Sequence, residues 1–142
     1  MKPKHYSALL NSSTLALILC LSSFEILAAG SGRIFVTNER DNTLSVINGA
    51  TNEVESTVEI GDRPRGIGIS PDRKEVYVAL SNDNAIAVLD PSTLEILRTF
   101  DGGDDPETFA VHPNGNIYIS NEDDAKATVI NPSNGEVVAE IK

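Results

Sequence analysis

The chain has 142 residues, a formal net charge of −10, one cysteine and no tryptophan. This length allows one domain or part of one. A surface this acidic repels phosphate backbones, which disfavours nucleic acid as a partner.

The first 29 residues have the pattern of a secretory leader. Lys2 and Lys4 give a basic start, residues 15–21 form an apolar core, and small residues end the segment at Ala29. A transmembrane anchor needs about 20 apolar residues, whereas polar side chains interrupt this segment. We therefore expect residues 1–29 to be a signal peptide and residues 30–142 to be periplasmic, without a membrane span after cleavage.

Cleavage of this leader also removes Cys20. A lipoprotein is disfavoured because the bulky Leu19 precedes that cysteine where a small residue is needed. The exported part has no cysteine, so it can form neither a disulfide nor a thiolate metal site. It keeps 9 basic and 20 acidic residues, a net charge of −11.

A repeat organises everything after the leader. The segment Pro64–Leu80 combines a short apolar alternation, a turn and a β-rich run, and it returns 42 residues later as Pro106–Asn121. Phe35 stands 42 residues before Tyr77 and marks an earlier copy. A repeat of about 40–45 residues with several short strands is typical of a β-propeller blade.

The period-2 and β-branched runs predict strands throughout and no helix after the leader. We therefore expect an all-β propeller of four-stranded antiparallel blades, with units at residues 33–63, 64–105 and 106–142. In chain order the predicted strands are Arg33–Thr37, Leu44–Ile47, Val54–Ile60, Gly66–Ser70, Glu75–Ala79, Ala85–Leu89, Leu94–Phe100, Thr108–His112, Asn116–Ser120, Ala127–Ile130 and Glu136–Ile141.

The inner strands carry apolar residues on both faces, as in residues 76–78 and 117–119. This pattern predicts sheets that are covered on both sides, as stacked blades are. The first unit lacks the first strand of the repeat, and three stacked units leave two end faces bare. We expect the chain to be the N-terminal part of a longer protein, with the completing strand beyond Lys142. The alternative is a three-unit piece that assembles with copies of itself.

The repeats resemble those of the YVTN family of β-propellers, through residues 35–38 and 41–47. A narrower similarity rests on residues 36–42, 63–67 and 105–115 with 121–124. These segments are similar to exported propeller proteins associated with PQQ-dependent catabolism of alcohols. That family is described as seven-bladed and occurs beside a transport system. The resemblance therefore implies about three blades of seven, with a PQQ-linked dehydrogenase or an ABC transport system as partner.

Two residues depart from this repeat pattern. Leu80 and Ala125 replace asparagines that stand at equivalent positions in other units, and we expect each to weaken a turn.

Two carboxylate-rich loops raise the question of a metal site. They contain Asp101, Asp104, Asp105 and Glu107, and Glu122, Asp123 and Asp124. Calcium prefers six to eight hard oxygens, but the glycine-centred spacing of an EF-hand is absent. An aspartate also recurs at one point of every unit, which indicates a turn former. We therefore predict no metal site in this chain.

No other constellation points to catalysis or to a cofactor. His112 precedes a proline turn and has no second histidine after the leader, so we expect it to be structural. The quinoprotein dehydrogenases use propellers with tryptophan-bearing repeats, and this chain has no tryptophan. We predict that it binds no cofactor.

Residues that differ between units are the better candidates for binding. In propellers, the loop before a unit's first strand and the loop between its second and third strands share one face. Arg65 and Glu107 enter first strands at equivalent positions with opposite charge, while Arg40 and Glu122 lie in second-to-third loops. Variable loop residues on a rigid scaffold are suited to binding, so we predict these four as a binding rim. The alternative is an ordinary solvated rim.

The sequence thus favours a non-catalytic exported binding or assembly protein of PQQ-linked alcohol oxidation. One alternative is a propeller enzyme, lactonase-like or lyase-like, whose site lies in further blades. Another is a cell-surface protein, as some YVTN-repeat proteins are.

Overall fold

A computed structural model describes residues 32–142, and it confirms the predicted all-β fold for these residues. The predicted signal peptide lies outside the described residues. All eleven predicted strands are present, each end within two residues of its expected place. They are β1 (Arg33–Asn38), β2 (Thr43–Asn48), β3 (Val54–Glu59), β4 (Pro64–Ile69), β5 (Val76–Leu80), β6 (Ala85–Leu89), β7 (Ile96–Asp101), β8 (Pro106–Val111), β9 (Ile117–Asn121), β10 (Lys126–Asn131) and β11 (Glu136–Ile141). Within residues 32–142 there is no helix long and apolar enough to cross a membrane.

The strands form three antiparallel sheets, each built from strands that are consecutive in the chain. The first sheet has the order β1-β2-β3, the second β4-β5-β6-β7 and the third β8-β9-β10-β11. Register is equivalent across the sheets, since Tyr77 pairs with Val88 as Phe35 pairs with Val46 and Tyr118 with Val129. Repeated sequence thus produces repeated strand pairing.

The hydrophobic core lies between the sheets, in two layers. The first layer packs Leu44 of the first sheet against Val78 and Leu89 of the second. The second layer packs Ile86 of the second sheet against Ile119 of the third. Every residue of β5 is buried, so the predicted coverage of both faces is confirmed for the middle sheet.

The outer sheets expose apolar side chains of β1 and β9 on their outer faces. Ile34 and Val36 in β1 are 50% and 40% exposed, and Tyr118 in β9 is 38% exposed. Burial therefore alternates along β9, with Ile117 and Ile119 fully buried on the inner side. The apolar pattern that predicted two covered faces is satisfied in the middle of the stack and left open at its ends.

The first strands of the second and third sheets, β4 and β8, approach each other closely, and we call these two the inner strands from here on. A Cβ atom built on Gly66 would lie 2.8 Å from the Cα of Thr108 and 2.9 Å from the carbonyl oxygen of Glu107. Real Cβ atoms do not come this near to backbone, so β4 needs glycine at this position. This contact fixes the distance between the second and third sheets.

Two arginines link neighbouring sheets at the strand ends that carry the β6–β7 and β10–β11 turns. Arg33 donates to the carbonyl oxygen of Pro91 at 2.8 Å, and Arg98 donates to that of Pro132 at 2.9 Å. Arg98 also makes a bidentate pair with Glu75 at 2.7 and 2.9 Å, which lowers the pKa of that carboxyl. Each arginine thus ties its own sheet to a turn of the next one.

The two residues that depart from the repeat, Leu80 and Ala125, occupy different structural environments. Leu80 lies in β5, where it is 3% exposed in the core, so the expectation that it weakens a turn is wrong. Its equivalent Asn121 donates from Nδ2 to the carbonyl oxygen of Gly102 at 2.8 Å. The third sheet therefore has a hydrogen bond from Asn121 to the loop before β8. At the equivalent position of the second sheet, Leu80 packs in the apolar core instead.

Ala125 does occupy a turn that favours asparagine. Its φ is +49°, close to the +57° of Asn42 and the +52° of Asn84. Asparagine tolerates this left-handed conformation, whereas alanine is strained in it. The two asparagines also accept backbone N–H bonds, from Arg63 at 2.9 Å and from Asp105 at 3.0 Å.

We predict that Ala125→Asn raises the free energy of unfolding by about 0.5–1 kcal/mol because it relieves this strain. Urea titration of the variant and the parent protein measures the difference. Asn84→Ala is the matched control, and it should lose about 1 kcal/mol or more since it creates the strain and removes a hydrogen bond. An unchanged midpoint for Ala125→Asn would contradict the assignment.

Candidate functional site

The loops before the inner strands and the loops between second and third strands lie together on one face. The Ser81 N–H donates to the carbonyl oxygen of Arg63 at 3.0 Å, and the Glu122 N–H donates to that of Asp105 at 3.2 Å. These bonds place the start of β4 beside the β5–β6 loop and the start of β8 beside the β9–β10 loop. We call this surface the loop face.

Six charged residues form an arginine–carboxylate cluster on the loop face. Arg65 forms ion pairs with Glu39, at 3.3 Å, and with Glu107. Arg63 contacts Glu39 at 3.1 Å and Asp105 at 3.4 Å. Glu122 completes the cluster through its carboxylate, which lies beside those of Asp105 and Glu107.

The cluster combines residues from all three sheets. Glu39 follows β1, Arg63 and Arg65 flank the first residue of β4, and Asp105 and Glu107 flank the first residue of β8. Arg63 and Arg65 are each 42 residues before an acid, so basic positions of one unit meet the acidic positions of the next. The ion pairs therefore run between neighbouring sheets.

Glu107 is the most enclosed carboxylate of the cluster. Its side chain is 14% exposed, and its Oε1 atom is buried without a hydrogen bond. Nη2 of Arg63 lies 3.8 Å from that oxygen, which is an ion pair too long for a hydrogen bond. Burial raises the pKa of Glu107, and this effect exceeds the lowering by Arg65. In contrast, the hydrogen bond from Arg63 lowers the pKa of the exposed Glu39.

Three carboxylates of the cluster could offer oxygens to one cation. Those of Asp105, Glu107 and Glu122 have oxygen atoms within 4.8 Å of one another. Hard oxygens are what calcium and magnesium prefer. However, the guanidinium groups of Arg63 and Arg65 already contact two of these three carboxylates.

The structure brings together three of the four predicted rim residues. Arg65, Glu107 and Glu122 belong to the cluster, whereas Arg40 is exposed and makes no hydrogen bond or ion pair within residues 32–142. The rim prediction left out Glu39, Arg63 and Asp105, of which Asp105 was considered only as one carboxylate of a possible metal loop. The opposite charges of positions 63 and 105, one repeat apart, carried the same signal that identified Arg65 and Glu107.

A recess opens beside the cluster, between the starts of the inner strands. It has a volume of about 460 Å³. Its walls are formed by Thr37, Glu39, Pro64, Arg65, Gly66, Glu107 and Thr108. The Thr37 hydroxyl donates to the carbonyl oxygen of Arg65 at 2.8 Å, which fixes one wall against the backbone of β4.

His112 lies on a different part of the molecule and has a structural role there. Its Nδ1 accepts the Asn114 N–H at 3.2 Å within the β8–β9 turn. Its ring centroid is 6.0 Å from that of Tyr118. The expectation that it serves the turn agrees with these contacts.

Three successive antiparallel sheets of repeated register, packed face to face through their inner strands, define part of a β-propeller. The chain belongs to the YNCE-like beta-propeller family, whose model matches residues 6–138. This match does not extend to the narrower similarity with the PQQ-linked proteins. No curated protein matches the chain in sequence.

Solved structures show the same architecture. The chain is similar to Kuenenia stuttgartiensis hydrazine synthase, with a TM-score of 0.70 and 20% identity over 77% of this chain and 32% of that one. For the WD40 β-propeller domain of Doa1 the TM-score is 0.68 and the identity 20%, over 79% of this chain and 37% of that one. For the dihydro-heme d1 dehydrogenase NirN, in complex with DHE, the TM-score is 0.64 and the identity 18%, over 78% of this chain and 24% of that one. At these identities the similarity establishes the fold alone, and the chain spans about a third or less of each structure.

We predict that Arg65→Gln lowers the free energy of unfolding by about 1–2 kcal/mol at pH 7, because it leaves Glu107 enclosed with less counter-charge. Loss of the Arg65 charge raises the pKa of Glu107 further, because the ionised carboxylate loses its counter-charge. The loss of unfolding free energy therefore applies to the ionised form of Glu107. The penalty should therefore shrink as the pH falls through the raised pKa of Glu107, which lies above the ordinary value of a glutamate, because the carboxylate then takes up a proton.

Urea unfolding at pH 7 and pH 4 tests this dependence. The double variant Arg65→Gln/Glu107→Gln removes the ionised group and should recover much of the stability at pH 7. An equal loss at both pH values would show that packing, and not charge, explains the effect.

Proposed function

We propose that this protein is an exported, non-catalytic propeller that binds a protein partner through its loop face. The observation that carries the proposal is the convergence on that face of Arg65, Glu107 and Glu122, which vary between otherwise repeated units. The turn asparagines Asn42 and Asn84, which do repeat, are used within the fold. Arg65 and Glu107 pair with each other, whereas Glu122 is exposed, and a variable exposed side chain on a rigid scaffold is available for a function of the particular protein.

The charge of the loop face favours a basic partner surface. The arginine–carboxylate cluster contains four acids and two arginines. The acidic balance of the whole chain points the same way. Complementary charge speeds association and selects partners more than it adds affinity, and its effect decreases with salt.

The similarity of residues 36–42, 63–67 and 105–115 to PQQ-linked propeller proteins supplies the biological setting of the proposal. In that setting the partners are a PQQ-dependent alcohol dehydrogenase or a component of the neighbouring ABC transport system. Export to the periplasm rests on the leader-like sequence of residues 1–29.

A binding role fits the chemistry of the loop face better than a catalytic one. The most enclosed carboxylate, Glu107, is flanked by Arg65 and Arg63. His112 is used in a turn away from the cluster. The propeller enzyme and the cell-surface protein remain alternatives for the whole protein, with no contact among residues 32–142 that favours either.

The geometry also decides which variant tests binding. Arg65→Glu, the obvious charge reversal, would set a third carboxylate between Glu39 and Glu107 and disturb the fold. Glu122 and Arg40 are exposed, so their charges can be changed without removing an arginine from the cluster.

We predict that Glu122→Lys weakens binding of the purified PQQ-dependent alcohol dehydrogenase of the same organism by about tenfold, because it opposes a basic partner surface. Arg40→Glu should leave binding unchanged or strengthen it. The full protein, as its gene encodes it, is titrated by calorimetry at low and at physiological salt, and the periplasmic binding protein of the transport system is tested likewise.

Glu95→Lys is the matched control, since Glu95 is exposed on the β6–β7 turn at the opposite end of the sheets. If Glu122→Lys and Glu95→Lys bind each partner as the parent protein does, the loop face is an ordinary solvated rim and the proposal fails.

A further inference from the structure

A cleft opens between the second and third sheets, at the end of the strands opposite the loop face. It has a volume of about 650 Å³, which is in the usual range for small-molecule sites. Residues of the β4–β5 turn line one side, and residues of the β8–β9 and β10–β11 turns line the other. Glu75, Tyr77 and Arg98 of the second sheet also line this space, which we call the turn cleft.

Glu75, Tyr77 and Arg98 form a hydrogen-bonded network that the repeat does not require. The Tyr77 hydroxyl donates to Glu75 at 3.2 Å, and Arg98 donates to both oxygens of the same carboxylate. Strand register places Ser56 of the first sheet and Ala139 of the third at the position of Arg98. Because neither of those side chains can form this ion pair, the network is particular to the second sheet.

The formal charges that line the turn cleft cancel. Arg98 is paired with Glu75, and Nζ of Lys74 lies 3.6 Å from a carboxylate oxygen of Asp72. Burial raises the pKa of Tyr77 to about 12, so its hydroxyl is uncharged near neutral pH. The chain as a whole carries a net charge of −10, so this balance is a local property. A charged ligand finds no uncompensated counter-charge here, and enclosing it unpaired is costly.

Three asparagines of the third sheet line the turn cleft and offer donors that the fold leaves unused. Asn114 Oδ1 accepts the Asn116 N–H at 3.0 Å, and Asn131 Oδ1 accepts the N–H and the hydroxyl of Ser133. Within residues 32–142 the side-chain NH2 groups of these three asparagines make no hydrogen bond, and neither does Oδ1 of Asn116. Each NH2 group supplies two donors, so this side of the cleft is rich in unpaired donors.

We propose that the turn cleft binds a neutral polyhydroxylated molecule, a sugar or a polyol, between the three asparagine amides and the Glu75–Arg98 pair. The site lies at the end of the sheets opposite the loop face, so the proposal does not depend on the partner proposed above.

Hydroxyl groups suit this lining because each one both donates and accepts a hydrogen bond. They accept from the asparagine NH2 groups and donate to the carboxylate oxygens of Asp72 and Glu75 on the other side of the cleft. A flat aromatic ligand is disfavoured, since Tyr77, the one aromatic residue of the described chain that lines the cleft, is 3% exposed.

Ligand-observed NMR of the complete exported protein, prepared as its gene encodes it, tests the proposal. The neutral probes are glycerol, mannitol, glucose and maltose, and we expect at least one to bind with a dissociation constant of about 1 mM or below. Glucosamine and glucuronate share the glucose ring but carry a charge, so both should bind at least about fivefold more weakly than glucose.

Asn116→Asp is the variant that locates the site, because it keeps the size of the side chain, removes its donors and adds a charge. It should weaken binding by about tenfold or more, and Asn114→Ala, on an exposed turn, should weaken it by about threefold. Asn134→Ala is the matched control, since Asn134 is exposed on the β10–β11 turn and does not line the cleft. The urea midpoint of each variant shows whether its fold is kept.

Three results would overturn the proposal. If none of the neutral probes binds at concentrations up to about 100 mM, the cleft is not a site for this class of ligand. Equal affinity for glucose and its charged analogues would show that charge balance does not select the ligand. Binding that Asn116→Asp and Asn114→Ala reduce no more than Asn134→Ala does would place the site elsewhere.

Discussion

The close approach of β4 to β8 is the constraint on which the rest of the structure depends. Gly66 brings the two backbones so near that no side chain fits between them. At this spacing Ile86 and Val88 of the second sheet can pack against Ile119 of the third. The second apolar layer, and the burial of β5 on the face that it shares with the third sheet, follow from the same spacing.

The close approach of β4 to β8 also determines which charged side chains meet on the loop face. Because the starts of the inner strands lie side by side, arginines of one unit reach the acids of the next. Arg65 is consequently paired on both sides, and Glu107 is enclosed at a cost that shows in its raised pKa. A cluster of this kind joins neighbouring sheets and leaves the exposed carboxylates of Glu39 and Glu122 on the loop face.

Much of this fold could be predicted from the sequence because each strand repeats. The 42-residue period identified all eleven strands and the face shared by Arg65, Glu107 and Glu122. Side-chain pairing could not be predicted, since the partners of Arg65 depend on the distance between sheets and not on spacing in the chain. Leu80 shows a second limit, because its position looked like a turn and is a buried strand end. Arg40, which matched the pattern equally well, has no contact in the cluster.

The most direct test of the central constraint compares two glycines of β4 by urea unfolding of the full protein. Gly66→Ala should lower the free energy of unfolding by about 1–3 kcal/mol, because the new methyl group meets backbone that cannot move aside. Gly68→Ala should cost less, since it meets the Phe109 ring and the Val111 side chain, which can shift. Equal and negligible losses in the two variants would contradict the account, because the sheets would then not depend on this approach.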